Sequence, residues 1–214
     1  MNNPIDIKCL SVNIRGLNKS LKRRAVFRWL HHQNCSFVFL QETYSSKECE
    51  NFWHAEWGGE ACFNHGTKHS KGTMILINPK IKCKVEKKMC DKNGRYIILD
   101  TVLANTRIVL VNIYAPNDVN QQVFFFKELQ KQLQEFSDET IIIGGDFNCT
   151  LSEKDKKGGN PSNRKYMVVE EINKLCNFYD LYDIWRFLNP NAEEFTWRNK
   201  SFKIQCRLDF FSDF

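Results

Sequence analysis

The sequence predicts an α/β sandwich built on mixed β-sheets. Three observations carry that expectation. Apolar runs of strand length alternate with amphipathic runs of helix length along most of the 214 residues. Two hairpin-like pairs of strand runs interrupt the alternation, which adds antiparallel neighbours to an otherwise parallel arrangement. No Gly/Ser-rich linker divides the chain, so residues 1–214 read as a single domain.

The elements follow in order. Residues 5–14, IDIKCLSVNI, alternate as a strand. Over 20–33, Leu21, Ala25, Val26, Trp29 and Leu30 share a helical face, with Lys22, Arg23, Arg24 and Arg28 around the other side. The run 36–43, SFVFLQET, is an apolar strand. Strands 72–78 and 81–90 are joined through Pro79. Strands 95–104 and 107–116 flank Asn-Thr as a tight hairpin. A helix over 121–136 aligns Phe126, Leu129, Leu133 and Phe136. The strand TIIIGG (140–145) follows, then a polar loop over 154–165. A helix over 165–179 aligns Val168, Ile172, Leu175 and Tyr179, and late strands fall at 194–199 and 204–211.

Bulk properties narrow the class. Hydrophobic residues make up 42% and charged residues 26%, which suits a packed globular chain. The net charge of +6 permits a polyanionic partner such as nucleic acid without demanding one. Nine cysteines are scattered with no C-x-x-C pair. Buried free thiols fit better than a zinc site or a disulfide framework. No apolar run reaches membrane-spanning length and no secretory signal is visible, so an intracellular protein without membrane contact is expected.

Function is suggested by how the strands end. CLSVN ends in Asn13, FVFLQE in Gln41 and Glu42, IVLVNIYAPN in Asn112, Tyr114 and Asn117, and IIIGGDFN in Asp146 and Asn148. CRLDFF sets Asp209 between Leu208 and Phe210. Each alone reads as an ordinary turn or strand exit. Together they point to one site, because layered α/β folds build sites at the carboxyl ends of strands. Carboxylates and amides are hard oxygen ligands that suit Mg²⁺. The Gly144–Gly145 pair beside Asp146 suggests a close approach by something.

SVNIRGL, FLQET, NIYAPN, GGDFN, FTWRN and RLDFF, in this order, resemble the endonuclease/exonuclease/phosphatase superfamily. The likeness is nearest to the apurinic-endonuclease-like domain of non-LTR retrotransposons and covers residues 5–211. It implies a four-layered α/β sandwich of two mixed β-sheets flanked by helices, DNase-like. It implies Mg²⁺, with Mn²⁺ as the alternative, held by Glu42 beside Asn13. Asp146 would orient or deprotonate the attacking water, with Asn148 on the same phosphate. Tyr114 and Asn117 would stabilise the phosphate or leaving oxygen, Thr196 would contact phosphate, and Asp209 would orient a catalytic histidine. DNA is the implied partner, in the nucleus, by a monomer whose parent polyprotein carries a reverse transcriptase domain. Lys68 and Lys71, on a loop with His65 and His69, are expected to reach phosphate, as are the lysines of loop 154–165.

The chain departs from that pattern twice. Arg15 stands where many repair relatives have an acid. Relatives also close with a strand ending in Ser-Asp-His, which the 214 residues lack; all five histidines lie between 31 and 69. The expectation is metal-dependent nicking of DNA. Its alternatives are a catalytically inactive remnant that at most binds DNA, and a phosphodiesterase acting on a phosphoester other than nucleic acid.

Overall fold

A computed structural model of the chain describes residues 7–159 and 165–213. Residues 5 and 6 of the first expected strand, 160–164 of the polar loop and Phe214 lie outside the described residues. The first half runs β1 (Cys9–Asn13), α1 (Ser20–Gln33), β2 (Phe37–Gln41), α2 (Glu50–Trp57), β3 (Ala61–Asn64), β4 (Thr73–Ile77), β5 (Cys83–Cys90) and β6 (Tyr96–Leu103). The second runs β7 (Thr106–Tyr114), α3 (Val119–Leu133), β8 (Thr140–Asp146), β9 (Lys156–Lys157), α4 (Lys165–Phe178), β10 (Tyr182–Asp183), α5 (Ile184–Leu188), β11 (Trp197–Arg198), β12 (Gln205–Cys206) and β13 (Asp209–Asp213).

Two mixed sheets result. One is ordered β1-β2-β4-β3 and the other β10-β13-β8-β7-β6-β5; a small third sheet, β11-β12-β9, sits beside them. β1 pairs parallel with β2, and β7 parallel with β8; the other pairings in the two large sheets are antiparallel. Strand periodicity explains the layering. Phe37, Phe39, Ile75 and Ile77 of the first sheet meet Ile97, Leu99, Leu110 and Ile142 of the second in a core between the sheets. The alternate residues Val38, Leu40, Met74 and Leu76 face Phe27 and Leu30 of α1 and Trp53 and Trp57 of α2. Val109, Val111, Ile141 and Ile143 face Phe126 and Leu129 of α3 and Val168 and Ile172 of α4. A strand buried on both sides cannot show polar alternation, which is why these read as continuous apolar runs.

Several sequence expectations change here. α2, β3, β10 and α5 were not expected; each is short, and α2 carries no long apolar stripe. The hairpin turn is Ala104–Asn105, both at positive φ, and Leu103 pairs with Thr106. The late strand over 194–199 shrinks to Trp197–Arg198. The one over 204–211 breaks into β12 and β13, because Arg207 turns inward to Asp155 and Asp183. The polar loop opens with a 3₁₀ turn at Glu153–Asp155 and β9, and its Lys154 is tied to the carbonyl of Pro190.

Candidate functional site

Register assembles one half of the site. Tyr114 pairs with Asp146 across β7 and β8, and Asp146 pairs with Asp209 across β8 and β13. Three of the residues expected at the site therefore lie side by side at one level of the second sheet. Asn13, paired with Gln41, ends β1 in the first sheet. Its amide donates from Nδ2 to Glu42 Oε1 at 2.9 Å and to Asp146 Oδ2 at 3.0 Å, joining the halves.

The glycines make this possible. A Cβ on Gly144 would overlap the Phe211 ring and crowd Phe39, and one on Gly145, at φ +139, would overlap the Ile113 carbonyl. The close approach suggested by the sequence is made by the chain itself, not by a ligand. Beneath the site, Gln41 Nε2 donates to Asn112 Oδ1 at 2.8 Å, and Asn112 Nδ2 donates to the carbonyls of Leu40 and Met74. These two amides staple the sheets. Removing one partner strands a buried polar group, which costs about 1–3 kcal/mol.

The other half is carried by turns. Arg15, Glu42, Tyr44 and Asn148 all have positive φ, between 48 and 56°. Glu42 is the hub: Oε1 accepts from Asn13 and from Tyr114 Oη at 3.0 Å, and Oε2 accepts from Tyr44 Oη at 2.8 Å. Asn148 donates its backbone N–H to Asp146 Oδ1 at 2.9 Å and its side-chain amide to the Ala115 carbonyl at 2.8 Å. Two adjoining cavities of about 270 and 380 Å³ share Asn13, Arg15, Asp146, Trp197 and Leu208. Thr196 and Asp209 line the first, and Glu42, Tyr114, Asn117 and Asn148 the second.

Electrostatics distinguish the acids. Burial, then the Asp209 charge, pushes the Asp146 carboxyl up to about 7, against the pull of Asn13 and the Asn148 N–H. Burial also raises Asp209, opposed by Thr196 and the Arg15 cation. Burial and Glu42 raise the Tyr114 phenol, which therefore keeps its proton and acts as a donor.

Eight of the ten expected residues, namely Asn13, Glu42, Tyr114, Asn117, Asp146, Asn148, Thr196 and Asp209, converge on this cleft. The Thr196 hydroxyl accepts the backbone N–H groups of Leu208 and Asp209, so it first of all orders the Asp209 strand. Lys68 and Lys71 line neither cavity; their carbonyls accept from Asn18 Nδ2 and the Tyr44 N–H. His65 is turned inward, with its ring nitrogens on Ser45 and Glu50. Arg15 and Trp197, which line both cavities, and Tyr44, which lines neither but donates to Glu42, were given no role from the sequence. Tyr44 had a signal, since it lies two residues beyond Glu42, and Trp197 stands within the FTWRN motif.

The donors suit a hard cation in part. Asn13 Oδ1 and Asp209 Oδ1 are buried without a hydrogen-bond partner, and Glu42 faces the same cleft. Yet no group of three or more His, Cys, Asp or Glu among the described residues could hold a metal ion by itself. The set fits Mg²⁺, which takes one or two carboxylates and fills its remaining positions with water and phosphate.

Comparison with known proteins bears on the family and the fold. The profile described as the endonuclease/exonuclease/phosphatase family matches residues 10–211. A Xenopus laevis protein described as the transposon TX1 uncharacterized 149 kDa protein is 31% identical over 188 residues, covering 87% of this chain. The chain spans only 14% of that relative's length. The crystal structure of AP endonuclease LMAP from Leishmania major is 17% identical with a TM-score of 0.76, covering 97% of this chain and 78% of that one. An AP endonuclease from Archaeoglobus fulgidus is 16% identical with a TM-score of 0.74, covering 97% and 86%. At those identities the structures speak to the fold.

Proposed function

The chain belongs to the endonuclease/exonuclease/phosphatase family, and from that premise we propose that it hydrolyses phosphodiester bonds in DNA as the endonuclease domain of a non-LTR retrotransposon. One observation carries the reading: Tyr114, Asp146 and Asp209 stand in register beneath a cleft that Asn13 closes by bridging Glu42 and Asp146. Membership also admits phosphatases, so the substrate rests on the transposon relative and on the basic charge of the chain.

Each residue has a task in that reading. Asp146, raised by burial, accepts a proton from water near neutral pH, where a general base works best. The Asn148 N–H holds its Oδ1 in place. Tyr114, still protonated, presents a donor toward developing charge on oxygen. Glu42 and Asn13 Oδ1 would hold Mg²⁺ or Mn²⁺, which when bound neutralises charge on the phosphate. The Arg15 side chain forms no hydrogen bond or ion pair among the described residues and lines both cavities, so it is free to meet a phosphate oxygen. Three carboxylates (Glu42, Asp146 and Asp209) without a cation would repel a phosphodiester; Arg15 offsets part of that charge.

A second reading, a domain that binds DNA without cutting it, draws on the fact that none of the five histidines lines the cleft. Supercoiled plasmid separates the two. Nicking that stops with chelator and returns with Mg²⁺ supports hydrolysis; binding with no nicking at any metal concentration selects the second reading. Competition by phospholipid stronger than by duplex DNA would move the substrate away from nucleic acid.

A further inference from the structure

A cavity larger than either of the two in the cleft lies away from it. It is an open groove of about 610 Å³ between α1 and α2, lined by Arg24, Arg28, His31, His32, Phe52 and Glu56, with the buried Phe27 ring within it. From Ile7 to Gln41 the sequence has no Asp or Glu and seven Lys or Arg. We propose that this groove binds a single-stranded segment of nucleic acid, with phosphates on Arg24 and Arg28 and an unpaired base on Phe52.

α1 has Lys19 at its N-cap position, no side-chain cap bond and no acid in its first turn. Cations near a helix N-terminus oppose the macrodipole. The one acid lining the groove, Glu56, is already engaged by Arg23 at 2.5 Å and Arg24 at 3.2 Å. The side chains of Arg28 and His32 have no hydrogen bond or ion pair among the described residues. Arg24 and Arg28 lie in the middle turns of α1 and His31 and His32 in its last, so the groove carries more basic residues than its one acid balances, which is what a polyanion would use.

The aromatic wall selects the kind of polyanion. Phe52 is 53% exposed, and the Arg23 guanidinium lies 4.9 Å from its ring centroid on the protein side. His31 stacks on Trp57 with centroids 4.2 Å apart and planes 8° from parallel. An exposed ring beside arginines is the surface on which unpaired bases stack, and duplex bases do not offer their faces. α1 joins the groove to the cleft. Lys22 Nζ donates to the carbonyls of Ile14 and Arg15, so α1 begins at the cleft wall and carries its basic face outward for about 21 Å over 14 residues. That continuity rests on the nuclease reading of the cleft.

The test uses the full chain in chelator, with a labelled oligothymidylate as probe and fluorescence anisotropy as readout. Phe52→Ala should weaken binding about tenfold, and Phe52→Trp should preserve it. Arg24→Ala with Arg28→Ala should weaken binding and lower the salt slope by about 1–2. Both variants should nick a short duplex like the parent, while Asp146→Asn should bind the probe like the parent and lose nicking. That pattern separates the groove from the cleft, because loss of nicking with intact probe binding concerns only the cleft. Unchanged affinity in Phe52→Ala or in the arginine pair, with unchanged melting temperatures, overturns the proposal. Competition by polyglutamate as strong as by unlabelled oligothymidylate overturns it as well.

Discussion

Tyr114, Asp146 and Asp209 are carried by paired strands, whereas Arg15, Glu42 and Tyr44 are carried by turns. The strand half needs no strain, because the register of β7, β8 and β13 places its side chains. The turn half holds Arg15, Glu42, Tyr44 and also Asn148 at positive φ, a conformation that costs of order 1–3 kcal/mol each. Backbone bonds stitch it instead: Gly16 N–H to the Glu42 carbonyl at 2.6 Å, Leu17 N–H to Thr43, Thr43 N–H to Gly72, and Tyr44 N–H to Lys71. The difference teaches where each half is vulnerable. Strand residues are positioned by the fold as a whole, and turn residues by a local lattice that can loosen while the sheets survive.

The largest expected effect falls on the strand half. Asp146→Asn keeps the shape, leaves one acceptor oxygen for the two donors Asn13 Nδ2 and Asn148 N–H, and removes the proposed proton acceptor. Plasmid nicking should fall about 10²–10⁴-fold, with melting temperature unchanged or higher. Activity within a few fold of the parent would show that the strand acids are not the base.

Glycine substitutions test the halves against each other. Gly145→Ala meets the Ile113 backbone, which cannot move without opening the β7–β8 pairing, and should lose about 2–4 kcal/mol by urea denaturation. Gly16→Ala, at φ +88, meets only the Tyr44 ring, 2.6 Å from its Cδ2. It should lose about 1–2 kcal/mol while weakening metal and DNA binding more than its stability suggests. Equal losses in the two variants would erase the distinction.

A smaller effect is a pH dependence of the metal-free protein. The Asp146 carboxyl is raised from 3.8 to about 7 by burial and Asp209. The folded state then binds the proton more tightly than the unfolded state, so the favourable contribution is complete below about pH 4 and is lost as pH rises through about 7. Melting temperature in chelator should fall between pH 5 and 8, and Asp146→Asn should flatten that slope. A slope of equal size in the variant would assign the dependence elsewhere.

The smallest effect concerns the loop that braces the turn half. Lys68 and Lys71 lie outside the cleft, so the double change to alanine should weaken duplex binding only a few fold and lower its salt slope by about 1–2. A loss as large as that from Arg15→Ala would place this loop on the DNA path.

Much of this molecule was legible in one dimension. Apolar runs at 36–43, 72–78, 107–116 and 140–145 marked strands buried on both faces, because period and length report burial locally. The polar residues closing those runs marked the cleft, since a buried strand ends in an acid or amide only where something satisfies it. Tertiary structure decided the rest. Asn13 and Asp146 meet across 133 positions, and Asp146 faces Asp209 only because β13 pairs antiparallel with β8. The glycine pair makes room for Phe211 and Ile113 rather than for a ligand. Lys68 and His65 share a loop, yet one faces solvent and the other is bonded inward. Local periodicity encodes which way a side chain points; its partner across a sheet is a long-range choice made by packing and register.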